Sequence, residues 1–328
     1  MQMLAESSPA LALAPAATRP AEQTLDNVFW RGAAPRISIC VPAYRHDVSD
    51  LIAALAACED AGLAEIIVHD DGTADHDMLA RMQYEASRQR IAVRLIAANA
   101  NRGRASARNR AIAHARADWV LLLDADMLPD QEDFLTRYLD AIDASSAPAV
   151  IVGGYSLCHT RKDASKALHR WQAEASECLG AERRQEAPGR YVFSSNVLAH
   201  RTILDMIPFD EAFSGWGWED TDWGIRATKY FPVRHINNTA THLGLDADAA
   251  LMSKYARSGE NFARLVKAHP DEARTMPLFR MARRMRTLPL RGAARDVAGW
   301  AAQTRFLPVS LRGRALKAWR ALVYAEAL

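Results

Sequence analysis

The sequence predicts an α/β fold, a Rossmann-like mixed and mainly parallel sheet with flanking helices, followed by a helical C-terminal extension. Three observations predict it. Across residues 37–124, short runs rich in Val, Ile and Leu alternate with longer helical stretches, the rhythm of a parallel sheet covered by helices. Two of those runs stop abruptly in acids, at Asp70-Asp71 and at Asp124-Ala125-Asp126, which puts carboxylates at strand ends where open α/β sheets bind ligands. Beyond residue 245 the strand pattern disappears, and residues 273–328 hold twelve Arg or Lys against two acids.

The elements follow in order. The first residues, with Ala10-Leu11-Ala12-Leu13-Ala14 and no basic residue ahead of it, read as a flexible Ala/Pro-rich arm over 1–34 rather than a signal peptide. A short helix is expected near Asn27–Trp30. Ile37–Val41 is a first strand stopped by Pro42, and Asp50–Ala61 a helix ended by Gly62. Glu65–Val68 is the second strand, Asp77–Arg90 a helix and Ile91–Ile96 the third strand. A helix through His114 leads to the fourth, Val120–Leu123, four apolar residues ended by Asp124. Thereafter the rhythm loosens. Gln131–Ala144 is a helix, Ala149–Val152 a strand, Lys162–Glu186 a long polar helix and Glu219–Tyr230 another helix. Val233–Ile236 and Thr239–His242 are short strands, and helices with breaks near Pro270, Pro277, Pro289 and Pro308 fill the rest.

Composition narrows the function. A chain of 328 residues can bury one large α/β core with an appendage, and no apolar run approaches the roughly 20 residues of a membrane span. The net charge of +2 hides a tail of +10 against about −8 for the rest, and no nucleic-acid reading motif accompanies the basic tail. The cysteines (Cys40, Cys58, Cys158, Cys178) have no metal-ligand spacing, and Cys40 and Cys58 lie in apolar surroundings, which favours a reducing, cytoplasmic compartment. No G-x-G-x-x-G follows the first strand, so a dinucleotide fingerprint is absent.

Several side chains are placed for chemistry. Asp124 and Asp126 could share a hard cation that in turn holds a diphosphate, although a lone D-x-D is also a common solvated turn. Arg104 and Arg108 sit one helical turn apart on one face, within reach of a nucleotide or its diphosphate. Trp216 and Trp218 offer flat faces to sugar rings, with Gly215 and Gly217 allowing close backbone approach. Glu219 and Asp220 open a helix, where the dipole favours negative charge.

Ser38-Ile39-Cys40-Val41-Pro42-Ala43-Tyr44, Asp70-Asp71-Gly72-Thr73, Asn101-Arg102-Gly103 with Ala107-Arg108-Asn109, and Asp124-Ala125-Asp126 occur in one order. In that order they resemble the family 2 nucleotide-sugar glycosyltransferases of the GT-A fold. Gly215–Arg226 and Thr241-His242 resemble the acceptor half of chondroitin-polymerase-like enzymes and β-1,4-galactosyltransferases. The resemblance covers residues 36–244. It implies a GT-A domain over 35–244, with a nucleotide-binding half (35–126) and an acceptor half (127–244), and leaves 245–328 as a helical basic extension. Pro42 and Tyr44 would line a nucleobase pocket, and Asp70 or Asp71 would accept a hydrogen bond from base or ribose. Asp124 would meet ribose or metal, with Asp126 and His242 as metal ligands. A carboxylate–imidazole set suits Mn2+ better than Mg2+. Asp220 would be the general base, Glu219 would contact the acceptor, and Asn196 would lie near the donor sugar. Ser194-Ser195 stands where Gly-Gly is common, which leaves the donor sugar open.

The implied activity is inverting, metal-dependent transfer from a UDP-sugar to a saccharide or lipid-linked saccharide hydroxyl, in bacterial polysaccharide or glycoconjugate synthesis. A nucleotidyltransferase would want a Gly-rich basic loop after the first strand, where this chain has Pro42-Ala43-Tyr44-Arg45. A non-catalytic sugar-binding protein would not need Asp126, Asp220 and His242 together. In the tail, Arg and Lys alternate with Trp, Leu and Met at helical spacing. That composition suits either an anionic membrane surface at the inner face of the cell membrane or a stripe packed on the domain.

Overall fold

A computed structural model describes residues 22–328, and its first half alternates as expected. The order is β1 (Glu22–Asp26), β2 (Ile37–Ala43), α1 (Ser49–Ala56), β3 (Ala64–Asp70), α2 (His76–Arg88), β4 (Ala92–Ala98), α3 (Arg104–Ala113) and β5 (Trp119–Leu123). Next come β6 (Met127–Pro129), α4 (Phe134–Asp143), β7 (Val150–Val152), β8 (Tyr155–Ser156), α5 (Ala167–Ser176), α6 (Ala181–Gln185), β9 (Asn196–His200) and α7 (Arg201–Met206). Then follow α8 (Glu219–Thr228), β10 (Val233–His235), β11 (Ala240–His242), α9 (Asp248–Arg257), α10 (Gly259–Ala268) and α11 (Pro270–Thr275). α12 (Pro277–Met285), α13 (Arg291–Gln303) and α14 (Val309–Ala327) close the described chain.

The main sheet runs β1-β4-β3-β2-β5-β9-β7-β10, and β6-β11-β8 make a second, small sheet. β4, β3, β2 and β5 are parallel, so their carboxyl ends and the acids on them emerge at one edge. β9 is antiparallel to both β5 and β7. One apolar layer, including Ile52, Met82, Phe134 and Tyr138, packs α1, α2 and α4 on one face. The other, including Ile112, Ile203 and Trp223, packs α3, α7 and α8 on the opposite face. β3 is buried along its whole length, which is why its sequence does not alternate.

Three expectations are corrected. The arm is not free up to residue 34: Glu22–Asp26 pairs antiparallel with β4, and residues 1–21 lie outside the described residues. The stretch Asn27–Trp30 is a turn, because the Asn27 amide donates to the Ala86 and Ile91 carbonyls and ties the chain to the sheet. Beside it, the guanidiniums of Arg94 and Arg116 lie 4.4 and 4.0 Å from the centre of the buried Trp30 ring. The helix expected over Lys162–Glu186 breaks after Ser176, where the Glu177 and Cys178 amides both fold back onto the Ala173 carbonyl.

The tail divides. Leu316 packs with Leu168 of α5 and Leu251 and Tyr255 of α9, and Tyr324 packs with Phe262 and Ala282. Its buried Arg312 pairs with Asp248 and donates to the Ala302 carbonyl at 2.9 Å. α14 therefore lays its apolar stripe on the protein. Leu290, Val297, Trp300 and Phe306, around α13, stay exposed.

Candidate active site

The carboxyl edge of the sheet opens into a cavity of about 960 Å³, roofed by the loop before α8 and walled by α9, α12 and α14. Pro42 and Tyr44 line it at the end of β2. At the end of β3 the two aspartates part. Asp70 accepts from the Thr73 hydroxyl and amide and lies off the cavity, whereas Asp71 lines it. Asp71 also accepts from the amides of Arg102, at 3.0 Å, and Gly103, at 2.8 Å. Gly72, directly after Asp71, has φ +79°, and a Cβ there would fall 2.4 Å from the Ala100 carbonyl carbon. Only glycine lets the two loops close.

Asp124, at the end of β5, accepts from both arginines of α3: Arg108 to Oδ1 at 2.9 Å and Arg104 to Oδ2 at 3.1 Å. Arg108 is fully buried, and its other nitrogen donates to Glu219 Oε1 at 2.9 Å. Burial works against its charge, and the two carboxylates more than restore it. Asp124 thus has both oxygens engaged by arginines. Arg108 joins β5 to α8, and it lines the cavity together with Asp124 and the half-exposed Arg104.

Asp126 and His242 do meet, with Oδ2 3.0 Å from Nε2. Burial pushes the Asp126 carboxyl up, but the contact with His242 outweighs it and holds the acid well below the usual carboxylate range. His242 is raised by the same contact against its own burial. The Tyr155 hydroxyl, 2.9 Å from His242 Nδ1, orients the ring, as outer-shell partners of metal-binding histidines do. Adjacent ligands on an octahedral ion with bonds near 2.1 Å stand roughly 3 Å apart, so this pair fits one edge of such an ion. Among the described residues no group of three or more His, Cys, Asp or Glu is placed so that it could hold an ion, so positions beyond this pair would fall to water and substrate oxygens.

The loop before α8 is wound by three left-handed residues, Gly215 (φ +75°), Gly217 (φ +91°) and Trp218 (φ +78°). A tryptophan in that region is strained and is held by its surroundings. Its ring stands 4.8 Å from that of Phe262 and 6.0 Å from that of Tyr324, and Trp216 meets Tyr255 at 5.4 Å. Both indoles line the cavity as well. Asp220, in the first turn of α8, accepts the Thr221 amide at 2.7 Å. Burial, and next the adjacent Glu219, push its carboxyl up to about 7 against the pull of Arg108. Asp222 is occupied elsewhere, pairing with Arg226 and His269 at 2.8 Å each.

Asn196 corrects the donor-side expectation. Its amide accepts from the Tyr138 hydroxyl at 2.6 Å and donates to the Gly154 and Asn238 carbonyls at 2.8 Å each, and Ser195 lines the cavity in its stead. Tyr155, Glu177, Lys317 and Arg320 line the cavity too. Sequence reasoning passed over them as site residues, since none belongs to a motif.

Residues 38–203 match the model of the family described as glycosyl transferase family 2. The chain belongs to that family. This glycosyltransferase is 27% identical over 196 residues to hyaluronan synthase of Pasteurella multocida, a match spanning 51% of the chain and 20% of that protein. It is 33% identical over 98 residues to an N-acetylglucosaminyltransferase of Bradyrhizobium elkanii, spanning 29% of the chain and 53% of the relative. Between those two the glycosyltransferase thus spans from a fifth to about half of the relative's length. Among solved structures it superimposes on the mannosyltransferase PcManGT from Pyrobaculum calidifontis, in complex with GDP-Man and Mn2+, with a TM-score of 0.55 and 16% identity. That likeness covers 88% of this chain and 86% of the other. S. aureus TarS 1-349 gives 0.50 and 14%, covering 88% and 90%. The fold is of the GT-A type.

Proposed function

We propose that this glycosyltransferase moves a sugar from a UDP-linked donor to a saccharide or lipid-linked saccharide hydroxyl, inverting the anomeric carbon, with Mn2+ held by Asp126 and His242. The observation that carries the reading is the placement of Asp220. A half-buried carboxylate with its pKa pushed up to about 7 shares one cavity with the Asp126–His242 pair. Such a group is basic enough to take a proton near neutral pH and still ionised enough to do so. Asp220 accepts the proton of the acceptor hydroxyl, whose oxygen bonds to the anomeric carbon as the bond to the diphosphate breaks. Trp216 and Trp218 orient the acceptor ring, and Arg108 keeps Glu219 and Asp124 fixed on either side. Asp71 and Tyr44 receive the nucleobase, with residues 35–126 as the nucleotide half and 127–244 as the acceptor half. When bound, the divalent ion stabilises the charge that develops on the leaving diphosphate.

The exposed apolar side chains of Leu290 (83% exposed), Trp300 (67%) and Phe306 (100%) support a second part of the reading. Next to them in the chain, Arg305 is exposed and forms no ion pair among the described residues, while the exposed Arg286 donates to the Leu328 carbonyl at 3.1 Å. Aromatic and aliphatic side chains interspersed with exposed arginines suit the interface of an anionic membrane. We place the enzyme at the cytoplasmic face, in keeping with its free cysteines. Among the described residues no helix is long and apolar enough to cross a membrane.

The test is a panel of nucleotide sugars assayed for Mn2+-dependent UDP release, with UDP affinity measured by calorimetry. UDP should bind tightly only with the ion, and Asp126→Ala should abolish that gain. Unchanged UDP affinity in excess chelator removes the ion from the reading, and silence across the whole panel removes sugar transfer.

A further inference from the structure

We propose that Lys317 and Arg320 form a subsite for an anionic group on the acceptor, so that the acceptor is a saccharide bearing a carboxylate or phosphate close to its reacting hydroxyl. The proposal rests on the glycosyl-transfer reading above and names the acceptor class for it.

The first observation is the charge pairing inside the cavity. Arg104 and Arg108 are bound to Asp124, Lys254 to Asp246 at 2.7 Å, and Arg183 to Glu186. Arg190 donates to the Thr275 hydroxyl. Lys317 and Arg320, neighbours at i and i+3 on α14, line the same cavity and have no ion-pair partner among the described residues.

The second observation is how Arg320 is held. Its guanidinium lies 4.0 Å from the Tyr255 ring centre, 5.2 Å from that of Tyr324 and 5.4 Å from that of Trp218. Its Nε is buried with no hydrogen-bond partner in the structure. Lys317 lies 4.8 Å over the Trp171 ring. Aromatic faces orient a cation without neutralising it. The side chain as a whole is half-buried on the cavity wall, and an arriving anion would supply the counter-charge that the rings do not. Arginine's planar fork matches carboxylate and phosphate alike.

The third observation is position. Trp218 lies against Arg320 and stands two residues before Asp220 in the chain, and Arg320, Trp218 and Asp220 line one cavity. Glu177 lines the same cavity, and among the described residues it forms no ion pair with Arg320.

The experiment titrates methyl glucuronide, glucose 6-phosphate and the neutral methyl glucoside into enzyme saturated with UDP and Mn2+, and repeats the titration without nucleotide. At least one anionic sugar should bind about tenfold more tightly than the neutral one, the effect of one charge-assisted hydrogen bond. The stronger arm identifies the group as carboxylate or phosphate. Arg320→Gln should erase the preference. Lys317→Met, on a side chain outside the aromatic cluster, should reduce it without loss of fold, and both variants should bind UDP as wild type does. Equal binding of the three sugars, or a preference that survives in both variants, overturns the subsite. Weaker UDP binding by Lys317→Met would assign the pair to the donor diphosphate and overturn it as well. Failure of UDP to bind the wild type would instead overturn the glycosyl-transfer reading, while the nucleotide-free titration still reports on the subsite.

Discussion

Arg108 joins two stretches of chain 95 residues apart, since one buried guanidinium holds Asp124 at the end of β5 and Glu219 at the start of α8. Asp220 beside it forms no ion pair among the described residues, which suits it to the proposed role of proton acceptor. Asp220→Asn keeps the shape and removes the base, so turnover should fall on the order of 10²–10⁴-fold while UDP affinity stays near wild type. The rising limb of the pH–rate profile near pH 7 should vanish with it. The sign for stability is opposite. The folded chain holds this proton more tightly than the unfolded chain does, so Asp220 favours folding below the ordinary carboxylate range and loses that contribution as pH rises through about 7. Melting curves should therefore show Asp220→Asn more stable than wild type at pH 8, with the gap closing toward pH 4. A variant with normal turnover would remove Asp220 from the mechanism.

Strand ends were legible in the sequence, because a buried parallel strand announces itself by an unbroken apolar run and its carboxyl end by the first acid. β2, β3 and β5 follow from that local pattern, with Asp70 and Asp124 as the first acids, although β2 runs through Pro42 to Ala43 instead of stopping at the proline. Contacts made across the fold were not legible. Nothing near Asn196 signals that Tyr138, Gly154 and Asn238 occupy its amide. Nor does Asp124 reveal that two arginines one helical turn apart saturate its oxygens. Tyr155 and Arg320 reach the site from elements with no motif of their own. Gly244, just past β11, is another such contact: a Cβ there would fall 1.9 Å from Asp126 Oδ2. Gly244→Ala should push that carboxylate off His242 and weaken the Mn2+-dependent part of UDP binding about tenfold or more, the usual cost of disturbing a ligand's support. UDP affinity in chelator should not change. Calorimetry with and without the ion checks both, and an undiminished ion-dependent gain would show that Asp126 tolerates the shift.

Across the whole molecule, the basic tail divides between core and surface with different residues. Leu316, Leu322 and Tyr324 of α14 are core, whereas Trp300 and Phe306 face outward. Exchanging Trp300 and Phe306 together for Ser should leave the fold intact and reduce flotation with anionic liposomes. Flotation of the wild type should itself fall with salt, each arginine near the surface contributing roughly 1 kcal/mol. Equal flotation of the two proteins, or indifference to lipid charge, would leave the outward side chains without a membrane role. The packing of α14 behind Trp218 also makes that helix a lever on the cavity. Tyr324 stacks on Phe262 at 4.7 Å and meets Trp218 at 6.0 Å, so a disturbance of α14 would reach the indole without any strand of the sheet moving.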